Sequence, residues 1–472
     1  MKSSFMSNSF WGLISTIFQT LFLSGVFIII SRHYSVEDFS NYLISNTIYQ
    51  LIVGFSSMGL GHWFIREYGY ISGDKSNLIF SFAKNQTVLG LIFYVVNIVL
   101  AFTIYPNEQI RILSIIFGTN IIFDNIIYAI KNLNVAKFQQ KKSALIMAFD
   151  GFLRLLVCSV LFIFPISLIP LSICMVIVRL ITVNIFFQIG TNGLLDMSKL
   201  WNYKLSLNNF KDNVFINWKF VLIVGSAIIF WRSATIIISK YLSASEVANY
   251  EVSYKIFSIF TLISIVASTT IYPKFVHLLA ATNLKEAKKM YSIISLSFSI
   301  FGLVSYLFIQ SFASFWIPYI FGQKYAFAVD CIKQMFLTLL VYPTVFLQAN
   351  LLVAMKKEKL DMYLNFLVLV LNLTGCLIGL RYFKSLSVVN LSIFGSFVVF
   401  HVIQNILLIR LKLNTVRNAL AFYGFIAIAV IGHKAILNEI NSSIIFPAFL
   451  LFFISPAVFL LWKMVKTYLN EK

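Results

Sequence analysis

Residues 28–51, IIISRHYSVEDFSNYLISNTIYQL, return without a gap as residues 236–259, IIISKYLSASEVANYEVSYKIFSI. The offset is 208 positions, and about nine of the 24 aligned positions are identical. In each copy an apolar run ends in Ser and a basic residue. It then passes a short polar turn (Arg32, Glu37 and Asp38; Lys240 and Glu246) and reopens with Asn-Tyr (Asn41-Tyr42; Asn249-Tyr250). This is the pattern of a helical hairpin emerging from a membrane, written twice, so the chain reads as an internal duplication.

Working outward, the chain is 59% hydrophobic and 11% charged, with a mean hydropathy of +0.87. Such a composition exceeds what one water-soluble core can bury and indicates a polytopic membrane protein. A membrane helix needs about 20 apolar residues. Fourteen such stretches follow one another: 10–31, 39–60, 79–104, 110–130, 145–165, 167–189, 214–238, 248–272, 290–316, 328–354, 361–381, 387–410, 418–437 and 443–463. The expected fold is therefore all-α with about fourteen transmembrane helices. Pro318 interrupts the pattern near 300–320. The first stretch has no small-residue cleavage site after it and reads as a retained helix.

The net charge of +20 raises the question of nucleic acid. The basic residues instead follow alternate loops: with a cytoplasmic N-terminus, about 23 Lys and Arg fall on the cytoplasmic side and about seven on the other. That bias predicts both termini in the cytoplasm and accounts for the charge without nucleic acid. The four cysteines (Cys158, Cys174, Cys331, Cys376) lack C-x-x-C spacing, and the five histidines are scattered, so neither a disulfide framework nor a metal site is indicated. Phosphate-binding loops, zinc-protease motifs and nucleophile elbows do not occur, and no cofactor is expected.

The offset moves the chain by six spans, an even number, so the two copies share one orientation in the membrane. The expected organisation is a six-helix lobe over 1–190, a cytoplasmic linker over 191–213, a second six-helix lobe over 214–412, and two extra helices with a tail over 413–472. Parallel repeats of this kind are a recurrent plan of secondary transporters.

Four stretches carry a family resemblance: YSVEDFSNY (34–42), its second copy YLSASEVANY (241–250), Tyr272-Pro273 followed by LKEAKKMYSI (284–293), and IFGQKYAFA (320–328). Over roughly residues 5–412 the chain resembles the polysaccharide-flippase branch of the multidrug/oligosaccharidyl-lipid/polysaccharide exporter superfamily, in particular the Wzx-type O-antigen or capsule repeat-unit flippases. Ser40 and Ala248 stand where the motif commonly has Gly, and no acidic residue follows Arg232. The resemblance implies two lobes like those of the multidrug exporters in a bacterial inner membrane. It also implies translocation of an undecaprenyl-diphosphate-linked oligosaccharide to the outer leaflet, beside the glycan polymerase and chain-length machinery, with no bond made or broken. The alternatives are a multidrug/cation antiporter of the same superfamily and a membrane-embedded glycan polymerase or ligase. The short outer loops and the repeat disfavour the enzyme.

A basic residue at mid-membrane costs about 2.5–3.5 kcal/mol on translocon scales, so it should face a cavity or a partner. Five qualify: Arg154, Arg179, Arg232, Lys255 and Lys333. Together they form the candidate cationic cavity for a lipid diphosphate, since a guanidinium fork suits phosphate oxygens. Local pairs compete with that reading: Asp150 with Arg154, Glu251 with Lys255, Asp330 with Lys333. Arg179 and Arg232 have no acidic neighbour within four residues, and the structural alternative for Arg179 is an interspan pair with Asp124. Asp124 and Asp150 are the carboxylates placed for ion coupling. Trp231 is the aromatic singled out for a sugar contact. Trp11, Tyr42, Trp63, Tyr250, Trp316 and Trp462 fit an interfacial belt, and the basic stretch 284–291 fits a surface helix.

Overall fold

The structure, a computed structural model, describes residues 2–204, 207–437 and 454–470. Eleven helical segments among them are long and apolar enough to cross a bilayer. The protein is an all-α, multi-pass membrane protein. Two further expected spans are also helical: α2 (Val36–Ser56), whose sequence is polar because it buries Ser40, Asn41, Ser45, Thr47 and Ser56, and α9 (Leu207–Tyr241). Residues 443–453 of the last expected span lie outside the described residues.

Two compact units divide at Met1–Ala248 and Asn249–Lys472. In the first, α1 (Lys2–His33) packs on α6 (Gln140–Ser159), α4 (Ser76–Ile104) on α5 (Glu108–Ala136), and α2 on α5 and α9. Close to these lie α3 (Leu60–Tyr70) and α7 (Leu168–Ile185). The duplication assigns α9 to the second copy, yet it packs against α2. Small residues permit the approach: Gly54 faces Ile228, and Gly225 faces the Phe55 ring. In the second unit α10 (Ala244–Ala280) is followed by α11 (Leu284–Phe321), α12 (Ala328–Met335), α13 (Tyr342–Ala354), α14 (Glu358–Phe383), α15 (Leu386–Arg410), α16 (Val416–Leu437) and α17 (Ser455–Asn470).

The repeated stretch makes the same local structure twice. The Ser35 hydroxyl accepts the Asp38 N–H at 3.0 Å and caps α2. At the 208-residue offset the Ser243 hydroxyl accepts the Glu246 N–H at 3.4 Å, and the Glu246 carboxylate accepts the Ser243 N–H at 3.0 Å. This reciprocal capping box satisfies helix-end donors at the head of α10. One turn further in, Ser45 donates to the Ile110 carbonyl at 3.1 Å, and its counterpart Ser253 donates to the Ala328 carbonyl at 3.0 Å. Each copy thus ties its second span to the first turns of its fourth.

The second expected span, 39–60, closes close to its expected end: α2 stops at Ser56 and the chain turns through Met58 and Gly59, both with positive φ (51° and 65°), before α3. Another span expected to be continuous is broken. The tenth divides into α12 and α13 around a 3-10 turn at Thr338–Leu340, just before Pro343. Pro343 has no N–H for the carbonyl four residues back, that of Leu339. That carbonyl turns to Gly302 on α11, where a Cβ would lie 2.5 Å from the oxygen. Gly302→Ala is therefore expected to lower the thermal midpoint of purified protein, with an overpacking loss of about 1–3 kcal/mol. Gly395→Ala, whose Cβ meets nothing within 4 Å, is the control. Equal midpoints for the two variants would remove the close approach as an explanation for the glycine.

Several sequence expectations need correction. The stretch 284–291 is not a separate surface helix but the start of α11, whose 38 residues span about 57 Å and overshoot a hydrocarbon core of about 30 Å. Within the stretch 191–213, α8 (Met197–Asn202) is capped by Asp196, Leu200 is buried, and α9 begins at Leu207. The Lys199 amide holds the Asp196 carboxyl below the usual carboxylate range. Tyr250 is fully buried and stacks on Tyr254, which takes it out of the lipid-facing belt, and the half-buried Tyr42 packs on Phe39 and Phe117.

Candidate functional site

Three helices of the first unit bring charged side chains to one buried point, and a fourth adds a tyrosine hydroxyl. Asp150 and Arg154 lie one turn apart on α6, so they share a face. Arg179 and Thr182 present the same face of α7, Asp124 comes from α5, and Tyr49 from α2. Arg179 Nε donates to Asp124 Oδ1 at 2.7 Å, and its Nη2 is paired with the same oxygen. Its Nη1 reaches Asp150 Oδ1 at 3.2 Å. The Tyr49 hydroxyl donates to Asp124 Oδ2. Thr182 Oγ1 donates to Asp150 Oδ1 at 2.8 Å, and Arg154 Nε donates to Asp150 Oδ2 at 3.0 Å.

Each carboxylate oxygen is therefore satisfied, as burial requires. Two carboxylates and two guanidiniums also balance in charge. Side-chain exposure grades across the network: 2% for Asp150, 10% for Arg179, 11% for Asp124 and 19% for Arg154. Arg179 is committed through all three nitrogens. Arg154 uses only Nε within the network, which leaves its two amino groups as available donors. Resident guanidiniums thus supply positive partners to both Asp124 and Asp150, the carboxylates singled out for ion coupling.

The other sequence-derived candidates lie on α9 of the first unit and on α10 and α12 of the second. Arg232 and Trp231 are half-buried on α9, where Trp231 meets Phe230 edge-on at 5.1 Å between ring centroids. Lys255 is half-buried on α10. Lys333 on α12 donates to Ser314 Oγ at 3.3 Å, and the expected ion pair with Asp330 does not form among the described residues.

The second unit holds a cavity of about 540 Å3 between α11, α15, α16 and α17, lined by residues including Tyr291, Ser295, Asn405, Phe422 and Leu460. Its polar wall is uncharged. Gln348 Nε2 donates to the Tyr291 hydroxyl at 2.8 Å and to Asn405 Oδ1 at 3.2 Å, and Asn414 Nδ2 donates to the same Asn405 oxygen at 2.8 Å. His401 bridges Tyr423 and Thr344 at 2.8 and 3.1 Å. The sequence reading passed over this cluster. The signal available was His401, Gln404 and Asn405 within one turn of an otherwise apolar span, an expensive arrangement in lipid unless the groups face one another.

With this architecture established, solved structures supply a comparison. The lipid II flippase MurJ in an inward closed conformation superposes with a TM-score of 0.72 at 13% identity, covering 98% of this chain and 99% of that one. An inward-facing multidrug resistance MATE family transporter of the MOP superfamily gives a TM-score of 0.69 at 13% identity, covering 84% and 94%. The chain has the fold of the MOP-superfamily transporters. A MOP-superfamily transporter from Pyrococcus furiosus, described by a reversed polarity of its binding pocket, gives 0.55 at 15% identity over 87% and 96%. No protein-family model and no curated protein matches the sequence. The likeness is one of fold, and at these identities it transfers no residue roles.

Proposed function

We propose that the protein is a flippase that carries an undecaprenyl-diphosphate-linked oligosaccharide repeat unit from the cytoplasmic to the outer leaflet of a bacterial inner membrane. It serves synthesis of O-antigen or another surface polysaccharide, works by alternating access, and keeps both termini in the cytoplasm. The observation that carries this reading is the extent of the structural likeness. The lipid II flippase covers nearly the whole chain, C-terminal helices included, while the multidrug transporter leaves about a sixth of it unmatched. The motifs at 34–42, 241–250 and 320–328 support the same branch. No bond is made or broken, so the protein is not an enzyme, and the glycan polymerase and chain-length machinery are its downstream partners.

In this reading the basic residues take different roles. Arg154, with unused donors at the exposed edge of the network, is the first-unit residue suited to grip a diphosphate oxygen. Arg179 holds the network together and positions it. Arg232, Lys255 and Lys333, with Trp231 as the sugar contact, complete the substrate path in this reading. Asp124 and Asp150 act as counterions.

A deletion strain tests the proposal. The expected result is loss of surface glycan, with lipid-linked repeat units accumulating in the inner leaflet and restored by the plasmid-borne gene. Single-unit surface glycan would indicate a polymerase, and drug sensitivity with normal glycan would indicate an antiporter. Either result rejects the flippase.

A further inference from the structure

The first unit holds a cation that the charge network does not use. Lys131 lies on α5 seven residues beyond Asp124, two turns or about 10 Å along the axis, so the two side chains leave the helix on one face. Asp124 looks into the gap between α2 and α7, because Tyr49 meets it from one side and Arg179 from the other. Both flanks of this stretch of α5 are covered. On one, the Tyr128 hydroxyl accepts the Gly61 N–H of α3 at 3.0 Å. On the other, Gly190, in the π-helical turn Phe186–Gly190 after α7, packs so closely that a Cβ there would lie 3.1 Å from Ile130 Cγ2. Lys131 leaves α5 between these flanks and faces the same gap as Asp124. Exposure along this face rises in one direction: Asp124 is 11% exposed, Tyr128 is half-buried and Lys131 is exposed. The gap is therefore a groove, closed at the charge network and open toward the C-terminal end of α5.

Lys131 is close enough for its charge to act on both Arg179 and Asp124. Among the described residues, however, no carboxylate forms an ion pair with it, and α5 carries no acidic residue within six positions of it. An ammonium without a counterion at the mouth of a low-dielectric groove concentrates anions there. Arg154 stands on the other side of the network. Only residues 137–139 join α5 to α6, so the two helices run antiparallel, and Arg154, one turn beyond Asp150, is displaced along the bundle in the direction opposite to Lys131. Arg179 bridges Asp124 and Asp150 at one level, which leaves the two cations roughly 15 Å apart along the helix axes. One diphosphate cannot touch both at once.

We propose that Lys131 is the capture residue for the anionic head group of the substrate: it takes the diphosphate at the open end of the groove, before Arg154 receives it beyond the charge network. This rests on the reading of the protein as a flippase for lipid diphosphates, with the C-terminal end of α5 at the cytoplasmic side. The network between the two cations is neutral and internally satisfied, so it offers the anion no resting place of its own. Capture and transfer are then separate events at separate residues. Lys131 acts as a point charge, and an arginine can replace it.

The test measures binding. Farnesyl diphosphate, a short lipid diphosphate, is titrated onto detergent-purified full-length protein while the thermal midpoint is followed, with farnesol as the uncharged control. A saturable rise is expected with the diphosphate alone. Lys131→Met should raise the half-saturating concentration about tenfold, the loss of one charge-assisted contact. Lys131→Arg should stay close to wild type. Lys142→Met, which removes an ammonium bound to Asn192 Oδ1 at 2.9 Å, should change nothing. Should Lys131→Met fail to fold, Lys131→Gln carries the same expectation. A wild-type rise with unchanged half-saturation in the folded Lys131 variants would overturn the role of Lys131 and leave the flippase reading standing. Equal losses in Lys131→Met and Lys142→Met would overturn it too, because general surface charge would then explain the effect. No saturable response of the wild type would instead count against the lipid-diphosphate reading itself, and the capture role would fall with it.

Discussion

Arg179→Ala is expected to deplete the protein from the membrane more than any other single change in the charge network. The guanidinium bridges Asp124 and Asp150 from a site only 10% exposed, and removing one partner of a buried pair costs about 3–5 kcal/mol because a charge is stranded. Against a total folding stability of about 5–15 kcal/mol, that is a large share. Arg179→Lys should recover little, since an ammonium cannot span two carboxylates as the planar fork does. Adding Asp124→Asn to Arg179→Ala should restore much of the lost protein, because Asp150 keeps Arg154 and Thr182. Quantitative immunoblotting of membranes reads all three. Wild-type abundance of Arg179→Ala would show that the network does not stabilise the fold.

Arg154→Ala is expected to separate transport from folding. Asp150 retains Arg179 and Thr182 when Arg154 is removed, so the loss is confined to one charged hydrogen bond, about 1.5–3 kcal/mol before solvent access is discounted. Surface glycan should nonetheless fall at least tenfold at near-normal protein level, with partial recovery in Arg154→Lys, where a point charge replaces the fork. Full glycan display in Arg154→Ala would remove this residue from the substrate path. A fall in glycan that merely follows a fall in protein would make its role structural.

Much of the fold is legible from periodicity and loops because lipid imposes a length rule on every span. The break is less visible. Pro343 lies inside a run that is apolar enough to read as continuous, and only the fold shows that Leu339 turns its carbonyl to Gly302. The repeated Ser35 and Ser243 caps carry a recognisable signature, Ser followed three residues later by an acid, at the duplication offset itself.

For the site, the charged residues are conspicuous in sequence because they are rare in spans, but their partners are not. Asp124 and Arg179 are 55 positions apart, and nothing local to either selects the other over solvent or substrate. The uncharged cluster around Asn405 is harder still. Asn and Gln are common enough in membrane helices that only their burial marks them.

The balance of two carboxylates and two guanidiniums in the first unit has an electrical consequence. The membrane potential acts on net charge, about 2.3 kcal/mol per elementary charge for each 100 mV crossed. A cluster with no net charge feels almost no such force, however far its helices travel. Any voltage sensitivity must therefore come from charges outside this network, among which Arg232, Lys255 and Lys333 are in-span candidates, and the network itself is electrically silent.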